Sequence, residues 1–488
     1  MRKVKARQLR FGLFVGAAGL SGCFNPSDVD IEGTTGNHGS TSGVAGSTSE
    51  ATSSETSDGS SSSSGEASTS GAPGCTAPDG EVDPMCESPT PLCWAGECIG
   101  CDALDAGCAA LDALAPICDP DGACSPCLEH GQCESGACVP TTGACVTARR
   151  RLWVDAAADC DAGVGTEVAP FCEVGPAAEA VASQPGDDAW AIIVAGAAVP
   201  YTESLVWSSE HPLVVVGPRE GVAAEIDGTD SFAVRAIGGG HLFLSHLVLT
   251  GGNLSVVLEC IYAGADTRLW VDDTTVVGGS APFVADCDAV FRRSAFEGGP
   301  EPKGVTGSLT LEDSTIALGG GLSVSGTLVS RRNVFLGQID VSGGSLTMEN
   351  SFVRREDFPE PASIVATDGA TVDILYSTIT SGYGCDGGGP SAIRNSIVVG
   401  QACPSAQIDH SAVDSGVGQG DGNVQVTEAM LADVLVSTTD LHLRPDAPLV
   451  LDLAIWDEGD PEFDIDGDPR PTVPGSTDAA GADVLSAR

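Results

Sequence analysis

Hydrophobic residues recur along the chain in a pattern that repeats about every twenty residues. Nine short segments share the order apolar, two variable residues, a small polar residue, any residue, apolar; their first residues are Leu244, Val271, Phe291, Leu311, Ser330, Met348, Ile374, Ile393 and Ile408. The fourth position is mostly a small hydroxyl residue and reads Leu247, Thr274, Ser294, Ser314, Asn333, Ser351, Ser377, Ser396 and Ser411. A period of this length is typical of solenoids, in which each coil buries its apolar face only against its neighbours.

One coil shows how the pattern would fold. In residues 309–318, apolar residues alternate on each side of a short polar bend, which predicts two strands that meet at a corner. Parallel stacking of such coils would place equivalent residues about 4.8 Å apart. The hydroxyl residues would then form a ladder at that corner, bonded to the backbone. The competing prediction is a β-sandwich, but its antiparallel hairpins would not favour one repeated corner.

Two neighbouring columns of the repeat carry charges. The second position reads Ser245, Asp272, Arg292, Glu312, Arg331, Glu349, Leu375, Arg394 and Asp409. The third position reads His246, Asp273, Arg293, Asp313, Arg332, Asn350, Tyr376, Asn395 and His410. Acidic and basic residues alternate between Asp272 and Arg332, so stacked coils would pair opposite charges and favour this register over a slipped one. A catalytic groove is the alternative prediction for these columns.

An ordered series of short motifs accompanies the repeat from Arg151 onward. They occupy residues 152–155, 191–196, 201–203, 213–217, 225–228, 464–471 and 478–483. In this order they resemble the motifs of the pectin-lyase-like superfamily, and the last two resemble the terminal cap of its members. The resemblance implies an all-β fold, a right-handed parallel β-helix over residues 148–488 that ends in a C-terminal cap.

The N-terminus predicts export. Residues 1–22 combine a basic start with a short apolar run, and Leu20-Ser21-Gly22-Cys23 follows. This resembles a bacterial lipoprotein signal peptide, which implies lipidation of Cys23 and a membrane anchor that does not span the bilayer. A plain secretory signal is the alternative. Residues 23–74 would form the lipidated end and a disordered Ser/Thr/Gly-rich tether. We therefore expect an exported, lipid-anchored protein of the outer membrane or cell surface, with the membrane as a partner.

Cysteines predict a small disulfide-rich module at residues 75–147. Twelve of the 18 cysteines other than Cys23 lie there, in a segment with little apolar content. Exported segments with so small a core depend on disulfides. The alternative is a zinc site, built from the two C-x2-C pairs: Cys98, Cys101, Cys124 and Cys127.

The other six cysteines predict three disulfides in the repeat domain. Cys260 and Cys287 are separated by the same step as the first two coils, and Cys385 and Cys403 by nearly one coil step. Cysteines on stacked coils lie about 5 Å apart, as a disulfide requires. Cys160–Cys172 would close a loop near the N-terminal end of the domain. All three pairs would serve stability.

Charge narrows the set of partners. The chain has a formal net charge of −46, and removal of residues 1–22 would leave 17 basic against 68 acidic residues. Such a surface repels nucleic acid, and it repels polyuronates unless divalent cations intervene. Aromatic residues make up only 5% of the chain. Trp270, which alternation turns outward beside Val271, is the best candidate for a ligand contact.

Two groups of acidic residues are the candidates for a functional site. Asp272 and Asp273 are candidate ligand-binding acids, since carboxylate pairs serve glycoside chemistry, but the ordered acidic motifs of the related hydrolases are missing. Asp464, Asp466 and Asp468 have the spacing of a calcium loop without its distal acid, so calcium is the one cofactor considered. We expect a non-catalytic β-helix that binds glycan or protein or acts as a spacer, with no catalytic residue assigned. The alternative is a polysaccharide lyase or glycoside hydrolase.

Overall fold

The repeated segments form three parallel sheets that wind around a shared core. The computed structural model describes residues 92–94, 97–101, 107–228, 232–251, 256–261, 266–299, 303–354, 362–400, 403–414 and 420–484. Between Pro212 and Asp386 the chain passes from sheet A to sheet B to sheet C and back to sheet A in each coil, and strands of one sheet pair in parallel with those of the adjacent coils. The predicted parallel β-helix is confirmed. The predicted signal segment, Cys23 and the tether lie outside the described residues.

Among the described residues, sheet A has twelve strands, sheet B eleven and sheet C nine. The strands of sheet A are Arg151–Val154, Trp190–Val194, Pro212–Val216, His241–Ser245, Arg268–Asp272, Asp288–Arg292, Ser308–Glu312, Thr327–Arg331, Ser345–Glu349, Thr371–Leu375, Ser391–Arg394 and Gln407–Asp409. The strands of sheet B are Ala224–Asp227, Leu247–Gly251, Thr275–Gly278, Ala295–Gly298, Thr315–Leu318, Val334–Leu336, Phe352–Arg354, Thr378–Ile379, Ile397–Val398, Ala412–Val413 and Val424–Gln425. The strands of sheet C are Leu205–Trp207, Val234–Ile237, Val256–Ile261, Ala281–Asp286, Lys303–Val305, Leu322–Val324, Ile339–Ser342, Ile364–Thr367 and Tyr383–Asp386.

The core lies between the three sheets and is filled by the inward residue of each strand. In one coil these are Leu309 and Leu311 of sheet A with Ile316 of sheet B, all buried. Coils therefore bury their apolar residues mainly against the coils above and below, as the period of the sequence predicts.

The corner between sheets A and B is built from the third and fourth positions of the repeat. All nine residues of the third column have a left-handed backbone, with φ between 44° and 55°. This conformation costs a non-glycine residue about 1–2 kcal/mol. The fourth column offsets that cost with a buried ladder. The Ser294 hydroxyl, for example, donates to the Arg292 carbonyl at 2.6 Å and accepts the backbone N–H of Thr274, one coil earlier, at 3.2 Å.

Seven disulfides are formed among the described residues, three of them in the repeat domain. Cys160–Cys172, Cys260–Cys287 and Cys385–Cys403 are the pairs that the spacing predicts, with Cα–Cα distances of 5.0, 5.7 and 5.3 Å. The second joins adjacent coils, since Cys260 pairs in register with the residue two before Cys287. These bonds restrict the unfolded chain.

The cysteine-rich module consists of small hairpins held by four described disulfides. The hairpins are Leu92–Trp94 with Glu97–Ile99, Ile117–Cys118 with Cys124–Ser125, and Cys138–Val139 with Ala144–Cys145. Its disulfides are Cys101–Cys118, Cys108–Cys124, Cys127–Cys138 and Cys133–Cys145, so each set of four cysteines joins first to third and second to fourth. The zinc alternative is wrong, because three of its four proposed ligands are oxidised in these bonds.

Short helices accompany the sheets. In the described ranges the α-helices are Cys108–Leu111, Val174–Ala182 and Leu431–Val434, and the 3-10 helices are His130–Gln132, Ala148–Arg150 and Glu428–Met430. The helix Val174–Ala182 buries its apolar side against the first coils, and Glu203 accepts hydrogen bonds from its first two backbone N–H groups. No helix in the described ranges has the length and apolar character needed to cross a bilayer.

The C-terminal segment after the last coil packs on the outer face of sheet B. A second apolar cluster joins outward residues such as Phe352 and Ile397 to cap residues such as Leu441 and Trp456, and the cap contains the hairpin Ala454–Trp456 with Ser476–Asp478.

Arg470 anchors this cap. Its side chain is fully buried; it pairs with Asp478 at 2.9 Å and lies over the ring of Tyr376. Its second terminal nitrogen bonds to Asn350 at 3.1 Å, so the cap is tied to the corner column.

Candidate functional site

Trp270 lies on the outer face of sheet A, as alternation predicts, at the edge of the contact with the cysteine-rich module. Its neighbour in register, Phe243, is buried beneath Ala137 and Val139 of that module. The indole nitrogen of Trp270 is buried and has no hydrogen-bond partner among the described residues. Trp270 can therefore offer a ligand only the carbon surface of its ring.

A groove of about 320 Å³ runs beside this tryptophan. Thr141 of the module forms one side, and outward residues of three successive coils form the other; among them are Arg268, Asp288 and Thr310. An aromatic ring beside a few hydrogen-bonding side chains is a recurrent arrangement in small-molecule sites.

Asp272 and Asp273 are brought together with a basic residue of the next coil. Arg293 lies 2.6 Å from the Asp272 carboxylate and 2.9 Å from that of Asp273. Burial raises the pKa of Asp272 to about 6, against the opposing effect of Arg293. Both predicted ligand-binding acids are thus engaged in an ion-pair cluster between coils.

A serine, a histidine and an aspartate meet at the same corner, a juxtaposition that sequence reasoning missed. The Ser245 hydroxyl lies 2.6 Å from Nδ1 of His246, whose Nε2 is 3.9 Å from Asp273. Burial lowers the pKa of His246, and burial lowers that of His130 in the overlying module to about 4. Nucleophilic catalysis would need an accessible hydroxyl. Ser245 is completely buried, so this set carries no nucleophile that a substrate could reach.

The charged columns pair along the stack as the sequence predicts. Arg331 lies between Glu312 and Glu349, at 3.4 and 3.1 Å, and Arg332 binds Asp313 at 2.6 Å. The pairs join residues of adjacent coils in register. Acidic groups that could have formed a catalytic pair therefore face cations of the neighbouring coil.

The three aspartates of the candidate calcium loop are not brought together. Asp464 is fully buried; one of its oxygens accepts the backbone N–H groups of Asp466 and Asp468, and the other accepts that of Val484. In the part of the chain that the structure describes, the three carboxylates do not form a set of converging ligand atoms. The geometry gives Asp464 a role in closing the turn of the cap, and calcium stays a prediction.

A second cleft lies between the C-terminal cap and the outer face of sheet B, and sequence reasoning did not find it. It measures about 520 Å³. Val334, Leu336 and Phe352 of sheet B line one side, and Leu441 and Ile465 of the cap line the other.

Charged side chains surround this apolar lining. His442 lies between two acids of the cap, 2.5 Å from Asp440 and 3.0 Å from Asp466. Burial lowers the pKa of His442, but the hydrogen bond with Asp440 and the charges of Asp466 and Asp483 outweigh that effect and raise it. The Arg332–Asp313 pair and Arg354 complete the rim. Apolar surface with a few converging polar groups is the usual composition of a binding site.

Comparison with known proteins does not assign a function to these sites. Comparison with protein-family models found none that matches the chain, and comparison with curated proteins found no match either.

Proposed function

We propose that this protein is an exported, lipid-anchored surface protein whose β-helix binds a glycan or a protein without catalysis. The basic and apolar leader, with Cys23 at its end, supports export and anchoring. Seven disulfides among the described residues support an oxidising compartment. The acidic surface argues against nucleic acid as a partner.

One observation carries the non-catalytic part of the proposal: the candidate acids are paired between coils. Glycoside chemistry uses two carboxylates about 5–10 Å apart that face the scissile bond. Asp272 and Asp273 instead share Arg293, and their neighbours along the columns are paired in the same way. The charges therefore support coil stacking, and the grooves beside Trp270 and under the cap support binding.

A polysaccharide lyase or hydrolase is the second candidate, and the pKa of Asp272 favours it. A carboxyl group with a pKa near 6 has the character of a general acid. However, the Asp272 side chain is only 7% exposed. A substrate would have to displace the Arg293 contact to reach it.

The test of binding is a panel of immobilised neutral and uronate glycans that is probed with the purified protein. We expect at least one glycan to retain the protein. If the protein binds no glycan of the panel and no surface protein, the binding role is contradicted and a spacer role is favoured.

The test of anchoring is Cys23→Ser in the full chain. We expect the variant to accumulate unprocessed or to lose its lipidated form, since no acceptor thiol remains. The same mature N-terminus and the same partition into membranes as the wild type would refute the lipid anchor.

A further inference from the structure

The cleft under the C-terminal cap has an apolar floor that the coil repeat does not require. Outward positions of sheet B need no apolar residue unless something covers them, and Glu297 occupies the same column as Leu336 two coils earlier. Phe352 is buried by the cap, whereas Val334 and Leu336 stay half-buried at its rim. The apolar face thus continues past the segment that the cap covers.

Polar groups on both walls of the cleft remain within reach of a ligand. The side chains of His442, Asp440 and Asp466 are 38%, 46% and 54% exposed. On the opposite wall, Arg332 and Asp313 are 32% and 37% exposed. Each group is held in position by an ion pair, so a ligand would meet oriented donors and acceptors.

Basic and acidic residues are equal in number in the cleft. Three basic residues line it (Arg332, Arg354 and His442, whose pKa is raised), and so do three acidic ones (Asp313, Asp440 and Asp466). This balance is unusual on a chain with a net charge of −46. A ligand with a net charge could pair only with the lining groups of opposite sign and would leave the others without a partner. Hydroxyl groups can serve both kinds, because they donate to the carboxylates and accept from the guanidinium groups.

We propose that this cleft binds a neutral oligosaccharide, with the carbon face of a sugar on Val334 and Leu336 and its hydroxyls on the paired charges of the two walls. The proposal rests on the glycan-binding role proposed above and assigns it to one site. The size of the cleft lies within the usual range of ligand pockets, about 300–1,000 Å³.

The test introduces a charge into the floor of the cleft and compares it with the same change elsewhere in the column. Leu336→Glu places a carboxylate beneath the sugar, and Val277→Glu places one on the same column three coils earlier, outside the cleft. Glu297 lies on this column, so the backbone accepts glutamate there. Thr439 lies in an exposed segment of the cap, so Thr439→Trp fills the cleft from the other wall. It provides an independent test of the site if Leu336→Glu does not fold.

The readout is titration calorimetry with the neutral oligosaccharides that retain the protein on the panel. We expect Leu336→Glu and Thr439→Trp to weaken binding roughly tenfold or more, and Val277→Glu to bind like the wild type. Trp270→Ala serves to separate the two proposals. If it abolishes binding while both cleft variants bind normally, or if only charged glycans or proteins bind, the cleft assignment is wrong and the binding role stands. If the wild type binds no partner, both are wrong.

Discussion

Arg293 provides the sharpest test of the idea that charged residues hold adjacent coils together. Replacing it with methionine keeps an unbranched apolar stem of similar length to the aliphatic part of arginine and removes the charged guanidinium group. Asp272, with 7% of its side chain exposed, would lose its partner at 2.6 Å, and Asp273 would lose its partner at 2.9 Å. A hydrogen bond to a buried charged group is worth about 1.5–3 kcal/mol. Because Arg293 is itself 32% exposed, we expect a loss of about 1–3 kcal/mol in the free energy of unfolding at neutral pH.

The pH dependence follows from the raised pKa of Asp272. Its pKa is about 6 in the folded protein against an ordinary 3.8, so the folded state holds this proton more tightly than the unfolded state does. Stability therefore decreases as the pH rises through that window, and above about pH 6 the ionised carboxylate depends on Arg293. The loss in Arg293→Met should be complete at about pH 7.5 and should shrink at about pH 5, where Asp272 carries its proton in the folded protein. What remains at the lower pH is the lost contact with Asp273.

The assay is urea unfolding followed by circular dichroism at both pH values. The dependence of the unfolding free energy on urea concentration is compared between variant and wild type to exclude a change in cooperativity. The matched control is the double variant Arg293→Met, Asp272→Asn, which has no buried carboxylate left to compensate. It should recover most of the stability lost at neutral pH. An equal loss at both pH values, or a double variant as unstable as the single one, would refute the assigned role of Asp272.

Three further changes test other parts of the fold. Arg292→Glu sets like charges against its neighbours in the column and should cost about 1 kcal/mol at low salt and less at high salt, as measured by urea unfolding; an unchanged cost at high salt would contradict an exposed ladder. Ser351→Ala leaves the buried N–H of Asn333 without its acceptor and should cost about 1–3 kcal/mol, which thermal unfolding would register, and no loss would mean that the ladder adds little. Arg470→Met leaves the carboxylate of Asp478 buried and unpaired and should cost about 3–5 kcal/mol, with faster proteolysis of the cap; an intact protease pattern would argue against its anchoring role.

The coils could be predicted in detail because their interactions are local to the repeat. The period puts the hydroxyl of Ser294 one coil from Thr274, and the same step puts Cys260 one coil from Cys287. Alternation alone turned Trp270 outward. These features depend only on which residues stack, and the spacing of the repeat determines which residues stack.

The contacts between the repeat and its neighbouring modules could not be predicted. The cysteine spacing contains nothing that identifies Phe243 as the surface on which Val139 packs. Likewise, His442 and Asp466 are far apart in sequence and in an irregular segment, so no period brings them to one cleft. Asp464 shows a related difficulty, because acids at alternating positions are compatible with both a metal-binding loop and a tight turn. In the structure its carboxylate accepts the backbone N–H groups of the turn, which the sequence pattern does not reveal.

The most direct test of the central claim, a β-helix that binds without catalysis, measures binding and turnover in one sample. The purified protein is incubated with the neutral and uronate glycans, with and without Ca²⁺, and the bound glycan is recovered and sized. We predict that it is recovered intact, because Asp272 and Asp273 stay paired with Arg293. New reducing ends or the absorbance of unsaturated uronates would contradict the account and establish the enzyme instead.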